Sequence, residues 1–225
     1  QNDEPVSATL PTLNWYLHRL RAMDAAELFG RAREKLRHQT ERFAAAAVRD
    51  IRLGAASGDA FALPAKADAP AALREALAAD AAKLLAGKWL VFGWKEVQVA
   101  SPPNWHCDSM RGVGVPSDGR RLDHRALPGG ADARAIWEIN RWVEMTRLAM
   151  QGWLNDDAAS IRRAQEWLAD WVERNPLGQG VNWTSALEGG VRLINFCWFD
   201  TLVSRMGDGD SEIGERQRGL AEMIV

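Results

Sequence analysis

Between Asp132 and Phe199 the chain offers three helix-length segments with almost nothing between them. "DARAIWEINRWVEMTRLAMQGWL" opens at Asp132. "AASIRRAQEWLADWVERN" follows Asp157 and is closed by Pro176, and "SALEGGVRLINFCWF" begins at Ser185. Apolar residues recur at helical spacing; in the third segment they are Leu187, Val191, Ile194 and Trp198. Asp132 and Asp157 stand where a side chain can accept from the first free amides of a helix. Segments of this length joined by short connections bury their apolar stripes by folding back on one another as antiparallel helix hairpins. The expected fold class is therefore all-α.

The rest of the chain is consistent with one helical domain over 1–225. Residues 1–14 read as a loose arm. "MDAAELFGRAREKLRHQTERFAAAAV" (23–48) reads as a helix, with Asp24 as cap and Glu27 completing a capping-box-like pair. Its Arg31, Arg33, Arg37 and Arg42 could attract an acidic partner, though such a run is more often the solvated face of a helix. An Ala/Gly/Pro-rich connection spans 52–68, and Pro70 starts a further helix through Leu73, Leu77 and Leu84. "WLVFGWKEVQV" (89–99) is short and strand-like. A long loop (101–130) follows, and a loop of this length in a compact domain is commonly functional.

Composition excludes several classes. The 225 residues are 47% hydrophobic and 26% charged, which suits a globular chain with a substantial core. A net charge of −2 argues against a nucleic-acid partner, where a basic footprint is expected. No run of 18 apolar residues offers a membrane span. Two cysteines, Cys107 and Cys197, make no disulfide framework, though a bond between them stays open, and no Cys/His cluster suggests a metal. No cofactor is expected. Eleven tryptophans against one tyrosine is an unusual balance; most serve packing, and some can stack on sugar faces. The chain opens on Gln1 with no visible leader, and "SEIGERQRGLAEMIV" (211–225) reads as a helix barely begun. The expectation is a fragment of a longer protein.

The junction ahead of the third segment carries the chemistry. "NPLGQGVNWTSALEGGVRLINFCWF" (175–199) passes from a Pro/Gly loop into a helix, with Asn182, Trp183, Thr184 and Ser185 at its mouth. Ser185 and Glu188 have capping-box spacing, so Asn182 falls beside unpaired helix amides. An amide there can donate to a bound carboxylate, or it can simply organise the turn. Glu188 and Arg192, four apart, can pair along the helix.

This run resembles a segment of the heparinase II/III-like polysaccharide lyases, whose members carry N-P-x-x-x-G-x-N-W-x-S-x-L-E-x-x-x-R. "DARAIWEINR" (132–141) is similar to that family's D-x-K-x-x-W-E-x-N-R, and "PNWHCDSMRG" (103–112) to its D-W-H-x-D-P-x-x-G. "WYLHRLRAMDAAELFGRAREKLR" (15–37) looks like the family's leading segment. Asn104 replaces an acidic residue, Ser109 a proline and Arg134 a lysine. The resemblance implies an incomplete (α/α) toroid of helix hairpins, followed in the family by a β-sandwich. It implies cleavage of acidic, uronate-containing polysaccharide by β-elimination, and a periplasmic or extracytoplasmic location. The C5 proton is removed while the adjacent carboxylate is neutralised, a preorganised electrostatic task.

By motif, Asn182 is the catalytic neutraliser. Trp105, His106, Asn140, Arg141, Trp183, Glu188 and Arg192 are the substrate-binding candidates. The family's catalytic tyrosine has no counterpart, since Tyr16 lies in the leading segment, and His18, His38, His106 and His124 do not match its β-sandwich histidine. The expected partners are an acidic polysaccharide and the later toroid helices and β-sandwich of the same protein. A non-catalytic glycan-binding toroid, an α/α-barrel glycoside hydrolase using Glu138 and Glu188, and a helical interaction module remain as alternatives.

Overall fold

The computed structural model describes residues 24, 27, 29, 30, 33, 62–117, 122–207 and 211–224. The chain divides into two compact units, Gln1–Asp50 and Ile51–Val225. In the first unit, Glu27, Phe29, Gly30 and Arg33 are helical, and the Glu27 amide donates to Asp24 Oδ1 at 2.7 Å, as the capping pair predicts. The 1–14 arm, Tyr16, His18, His38, the rest of the 23–48 helix and most of the 52–68 connection lie outside the described residues.

The second unit is mostly helical. Its elements are α1 (Ala71–Leu85), the strands β1 (Lys88–Val91) and β2 (Lys95–Gln98), and the two-residue strands β3 (Cys107–Asp108) and β4 (Val113–Gly114). There follow α2 (Ala133–Ile139), α3 (Val143–Asn155), α4 (Ala158–Arg174), α5 (Ala186–Gly207) and α6 (Ser211–Ile224). β1 and β2 pair antiparallel with Trp89 opposite Val97, and β3 pairs antiparallel with β4, Cys107 opposite Gly114. The strand-like reading of 89–99 thus resolves into a hairpin. The long loop is more ordered than its sequence suggests, since it holds the β3–β4 hairpin and a short 3-10 turn, Pro128–Gly130. Pro70 sits at the N-cap of α1, just outside the helix.

α3 is the hub of the core, packing against α1, α4 and α5, while α6 packs against α4 and α5. On α4 the buried residues Ile161, Ala164, Trp167, Leu168 and Trp171 recur at three- and four-residue spacing, so one stripe enters the core. Asp157 caps this helix as predicted, accepting from the Ala159 amide at 3.1 Å and the Ser160 amide at 3.2 Å. Arg74 of α1 closes the far end of α3 by donating to the Leu154 carbonyl, and to Asn155 Oδ1 at 3.3 Å. Leu187, Leu193 and Ile194 of α5 are exposed. Among the described residues, no helix is long and apolar enough to cross a membrane.

One sequence expectation is corrected. The segment from Asp132 to Leu154 is not one helix: it breaks at Asn140–Trp142, between α2 and α3. Asn140 ends α2, and Trp142 takes a left-handed backbone (φ 64°) as the N-cap of α3. A left-handed non-glycine residue costs on the order of 1–3 kcal/mol. The Trp142 ring offsets this by burial, edge-on to Trp171 with centroids 4.8 Å apart and against Phe196 at 6.2 Å. Helical periodicity is blind to such a break, because the apolar pattern resumes with little change of phase.

Candidate functional site

The break in the helix matters because it turns Asn140 and Arg141 toward two other segments. Asn140 is fully buried. Its Nδ2 donates to the Ile136 carbonyl at 2.7 Å and the Trp105 carbonyl at 3.0 Å, while its Oδ1 accepts from Trp171 Nε1 at 2.7 Å. The indole N–H can only donate, so the amide orientation of Asn140 is fixed.

Asn182 lies on the short 3-10 turn Val181–Trp183 and is also fully buried. Its Nδ2 donates to Asn175 Oδ1 (2.8 Å), Asn140 Oδ1 (2.9 Å) and the Trp105 carbonyl (3.2 Å). Asn175 is oriented in turn by donating from Nδ2 to the Trp171 carbonyl at 2.8 Å. Three residues far apart in sequence, from the 101–112 loop, α2 and the 175–183 turn, therefore share one buried node of amides around the Trp105 carbonyl. Two N–H bonds serving three acceptors leave no donor over for a bound ligand. The expectation that Asn182 donates to a substrate carboxylate is not met in this arrangement. The atom left without a partner is its Oδ1, an acceptor.

The helix-capping expectation is also corrected. Glu188 does not turn back on Ser185, nor does it pair with Arg192. Its carboxylate takes a forked pair of bonds from Arg141, Nε to Oε2 at 2.8 Å and Nη2 to Oε1 at 2.9 Å. Arg141 Nη1 also reaches Glu138 Oε2 at 2.5 Å, and Glu138 Oε1 accepts from the Phe92 amide at 3.1 Å. Glu138, Arg141 and Glu188 thus form one chain of charge from the β1–β2 turn to α5. The two carboxylates that a hydrolase reading would need are committed to one guanidinium.

Arg192 is buried between two indoles, with its guanidinium carbon 5.1 Å from the Trp171 centroid and 4.9 Å from that of Trp183. Nη2 donates to the Asn182 carbonyl at 2.8 Å, and Nη1 has no partner. Burial pushes its pKa down to about 10, against the opposing pull of Glu188, so it remains a cation at neutral pH.

His106 follows Trp105 at the edge of the node. Burial lowers its pKa, the bond with Asn175 works the other way, and nearby Arg174 adds to the lowering. Its Nε2 is buried without a partner. Gly180 sits beside it with φ 72°, where a Cβ would come within 2.8 Å of the Ser117 carbonyl. Glycine is required there by both backbone and space. Trp183, half-buried, donates from Nε1 to the Asn175 carbonyl at 3.0 Å.

All the candidates proposed from sequence meet here: Trp105, Asn140 and Asn182 in the node, His106 and Trp183 at its edge, Arg192 against Asn182, and Arg141 with Glu188 alongside. Sequence reading missed Asn175 and Trp171, which orient the amides. An Asn just ahead of Pro176 was the available signal for the first; nothing distinguishes Trp171 from the other helix tryptophans. Asp108 of the Trp-His loop is structural, accepting from the Met110, Arg111 and Asp132 amides and from Arg111 Nη1. Asn104, where the resembled motif has an acid, accepts from the His106 amide at 3.3 Å, a role open to either side chain. Cys107 and Cys197 are free thiols. Among the described residues, no group of His, Cys, Asp and Glu could hold a metal ion.

No family model matches the chain, and no curated protein or solved structure does.

Proposed function

We propose that this chain is the leading part of a polysaccharide lyase, an incomplete (α/α) toroid of antiparallel helix hairpins, acting on uronate-containing polysaccharide by β-elimination. One observation carries the reading. The three blocks that resemble the heparinase II/III-like lyases, 103–112, 132–141 and 175–199, converge on the Trp105 carbonyl. Three separated motifs that merely packed their own helices would have no reason to share hydrogen-bonded amides.

The chemistry asks for charge neutralisation beside a weakly acidic C–H. Around the node are one buried cation with a free N–H, Arg192, a histidine held toward its neutral form, His106, and an exposed edge of Trp183. In this reading Trp183 and His106 face the sugar, and Arg192 and Asn182 serve the carboxylate. Asn182 can do so only if the glycine-bounded turn 178–183 moves and releases its amide. Gly178 and Gly180, at φ 73° and 72°, lie on the leading side of that turn.

The test is eliminative activity of the protein as its gene encodes it, on a panel of acidic polysaccharides, followed by the ultraviolet absorbance of the unsaturated product. Asn182→Ala is expected to lower turnover on the order of 10²–10³-fold, the usual loss for one preorganised donor. The 225-residue chain alone, with no tyrosine matching the family's, is expected to release no product. Absence of product from the encoded protein across the panel would remove the lyase reading. A fully active Asn182→Ala would remove Asn182 from the mechanism.

A second reading, a glycan-binding module without chemistry, is favoured by the inward commitment of the Asn182 N–H bonds. Saturable binding of an acidic polysaccharide with no product would select it.

A further inference from the structure

The polarity of α5 is reversed over its first half. From Ala186 to Phe199 its charged residues are Glu188 and Arg192, and both are buried, one held by Arg141 and the other between Trp171 and Trp183. The opposite face presents Leu187, Gly190, Ile194 and Trp198, three and four residues apart, with Leu193 beside them. Leu187 is 72% exposed, Ile194 62% and Leu193 56%, and Trp198 is more than a third exposed. α5 thus carries more exposed large hydrophobics than any other described element. Scattered apolar side chains at a surface need no explanation, but a contiguous stripe marks a contact. A helix that is apolar around its whole circumference is one covered on every side. α3 and α6 cover α5 on the inner side.

Two further features say what fits the outer side. Gly189 and Gly190 stand together inside the helix, and among the described residues no atom lies within 4 Å of where their Cβ atoms would be. The packing around them does not demand glycine, and glycine weakens a helix interior. Gly190 falls on the exposed stripe as a notch between Leu187 and Ile194, which lets another helix approach closely. The stripe also lacks exposed charge. A bilayer surface is met by an apolar face rimmed with Lys and Arg, and between Leu187 and Trp198 the one basic residue is the buried Arg192.

The stripe is complementary to itself. Two copies of α5 laid antiparallel about a two-fold axis near Arg192–Leu193 set Ile194 of each against Gly190 of the other, and Leu187 of each against Trp198 of the other. Bulk meets notch at both central contacts, and the two helix dipoles oppose. We propose that this face of α5 is the contact between two copies of the chain. The stripe runs about 18 Å along the helix at about 1.5 Å per residue. That length places it among the smaller specific interfaces, so the dimer is reversible rather than obligate. Glu188 and Arg192 point away from the contact. The inference does not rest on the lyase reading.

The experiment is sedimentation velocity of the 225-residue chain across the micromolar range, where a reversible monomer–dimer equilibrium is expected. Ile194→Asp sets a charge at the centre of the stripe and is expected to raise the dissociation constant by roughly tenfold or more, with the helical circular dichroism retained. Gly190→Gln fills the notch while improving helix propensity, so it is expected to lose the dimer to the same degree with an unchanged or higher thermal midpoint. It carries the test if Ile194→Asp does not fold. Leu73→Asp, at an exposed apolar position on α1, is expected to leave the dimer unchanged. A chain that stays monomeric throughout would overturn the proposal, as would a dimer that survives Gly190→Gln or is weakened equally by Leu73→Asp. A monomeric chain that floats with neutral phosphatidylcholine vesicles would give the face to a bilayer instead. Elimination activity enters none of these outcomes, so failure here and failure of the lyase reading are separable.

Discussion

At the scale of the residue, Asn182 is a keystone before it is anything else. Its Nδ2 serves Trp105, Asn140 and Asn175; two of these acceptors have another donor, Asn140 Nδ2 for the Trp105 carbonyl and Trp171 Nε1 for Asn140, while Asn175 Oδ1 takes its 2.8 Å bond from Asn182. Removing Asn182 therefore weakens the node at all three acceptors and most at Asn175 Oδ1. Leaving a buried acceptor short of its donor costs about 1–3 kcal/mol. Asn182→Ala is expected to lower the free energy of unfolding by that amount, measured by urea titration of the 225-residue chain. A residue placed only for catalysis would leave stability unchanged, and that result would refute the keystone role. The residues that meet at this node were picked out in the sequence by the resemblance of Trp-His, Glu-x-Asn-Arg and Asn-Trp to a family's motifs, not by local pattern. The direction of the amide was not legible there. It depends on the acceptors at Trp105 and Asn140, which come from segments 42 to 77 residues away.

At the scale of the element, helix periodicity predicted α1, α4 and α5 as helices. The α5 positions it picked out, Leu187, Ile194 and Trp198, are exposed, while Phe196, Phe199, Leu202 and Val203 are buried. The segment 89–99 reads only as strand-like, and its folding back as the β1–β2 hairpin comes from the structure. What local pattern could not supply was the break at Trp142, which is decided by the ring's contacts with Trp171 and Phe196, or how closely helices approach. Gly152 shows the latter. A Cβ there would fall 2.3 Å from Ile161 Cγ1 and 3.0 Å from the Asp157 carbonyl, so α3 and α4 meet where only hydrogen fits. Ile161 is fully buried and has little room to yield. Alanine normally favours a helix over glycine by about 1 kcal/mol, yet overpacking a filled core costs about 1–3 kcal/mol. Gly152→Ala is expected to be destabilising despite its better propensity, with a lower thermal midpoint by calorimetry. At the same corner Asp157 accepts from two amides and from Ser160 Oγ at 2.7 Å. Asp157→Ala is expected to cost about 1 kcal/mol through the lost cap, by urea titration. A gain in stability from either change would show that the α3–α4 corner is not tightly fitted.

At the scale of the whole described unit, stability should depend on pH in a way that one buried carboxyl dominates. Glu144, in the first turn of α3, is buried with Oε2 unpartnered, and burial raises its pKa from 4.5 to about 7. Its own amide and Arg147 pull the other way, while Glu138 and Asp80 add to the rise. The folded state therefore holds a proton that the unfolded chain releases above pH 4.5. Between pH 4.5 and about 7 the unfolded state binds fewer protons, so stability falls as pH rises, and it levels off above. The separation corresponds to about 3 kcal/mol at most, at 1.36 kcal/mol for each pH unit. His106 acts in the opposite sense. Its lowered pKa, chiefly from burial, means stability is lost as pH falls below 6.5. Asp108, Asp132 and Asp157 enter only in more acidic solution. Burial pushes Asp108 and Asp157 up, but the bonds they accept outweigh it, and the Arg134 pair holds Asp132 down, so their contribution is lost as pH falls below 3.8. Comparing the protein with Glu144→Gln cancels the histidine and the aspartates, since they are common to both. The variant carries a permanently neutral amide of the same shape. Its stability relative to the parent is expected to be lowest near pH 4.5 and to climb by about 3 kcal/mol by pH 7.5, read from urea titrations at three or four pH values. Parallel curves would show that Glu144 is solvated or paired in solution, and that the first turn of α3 is open to water.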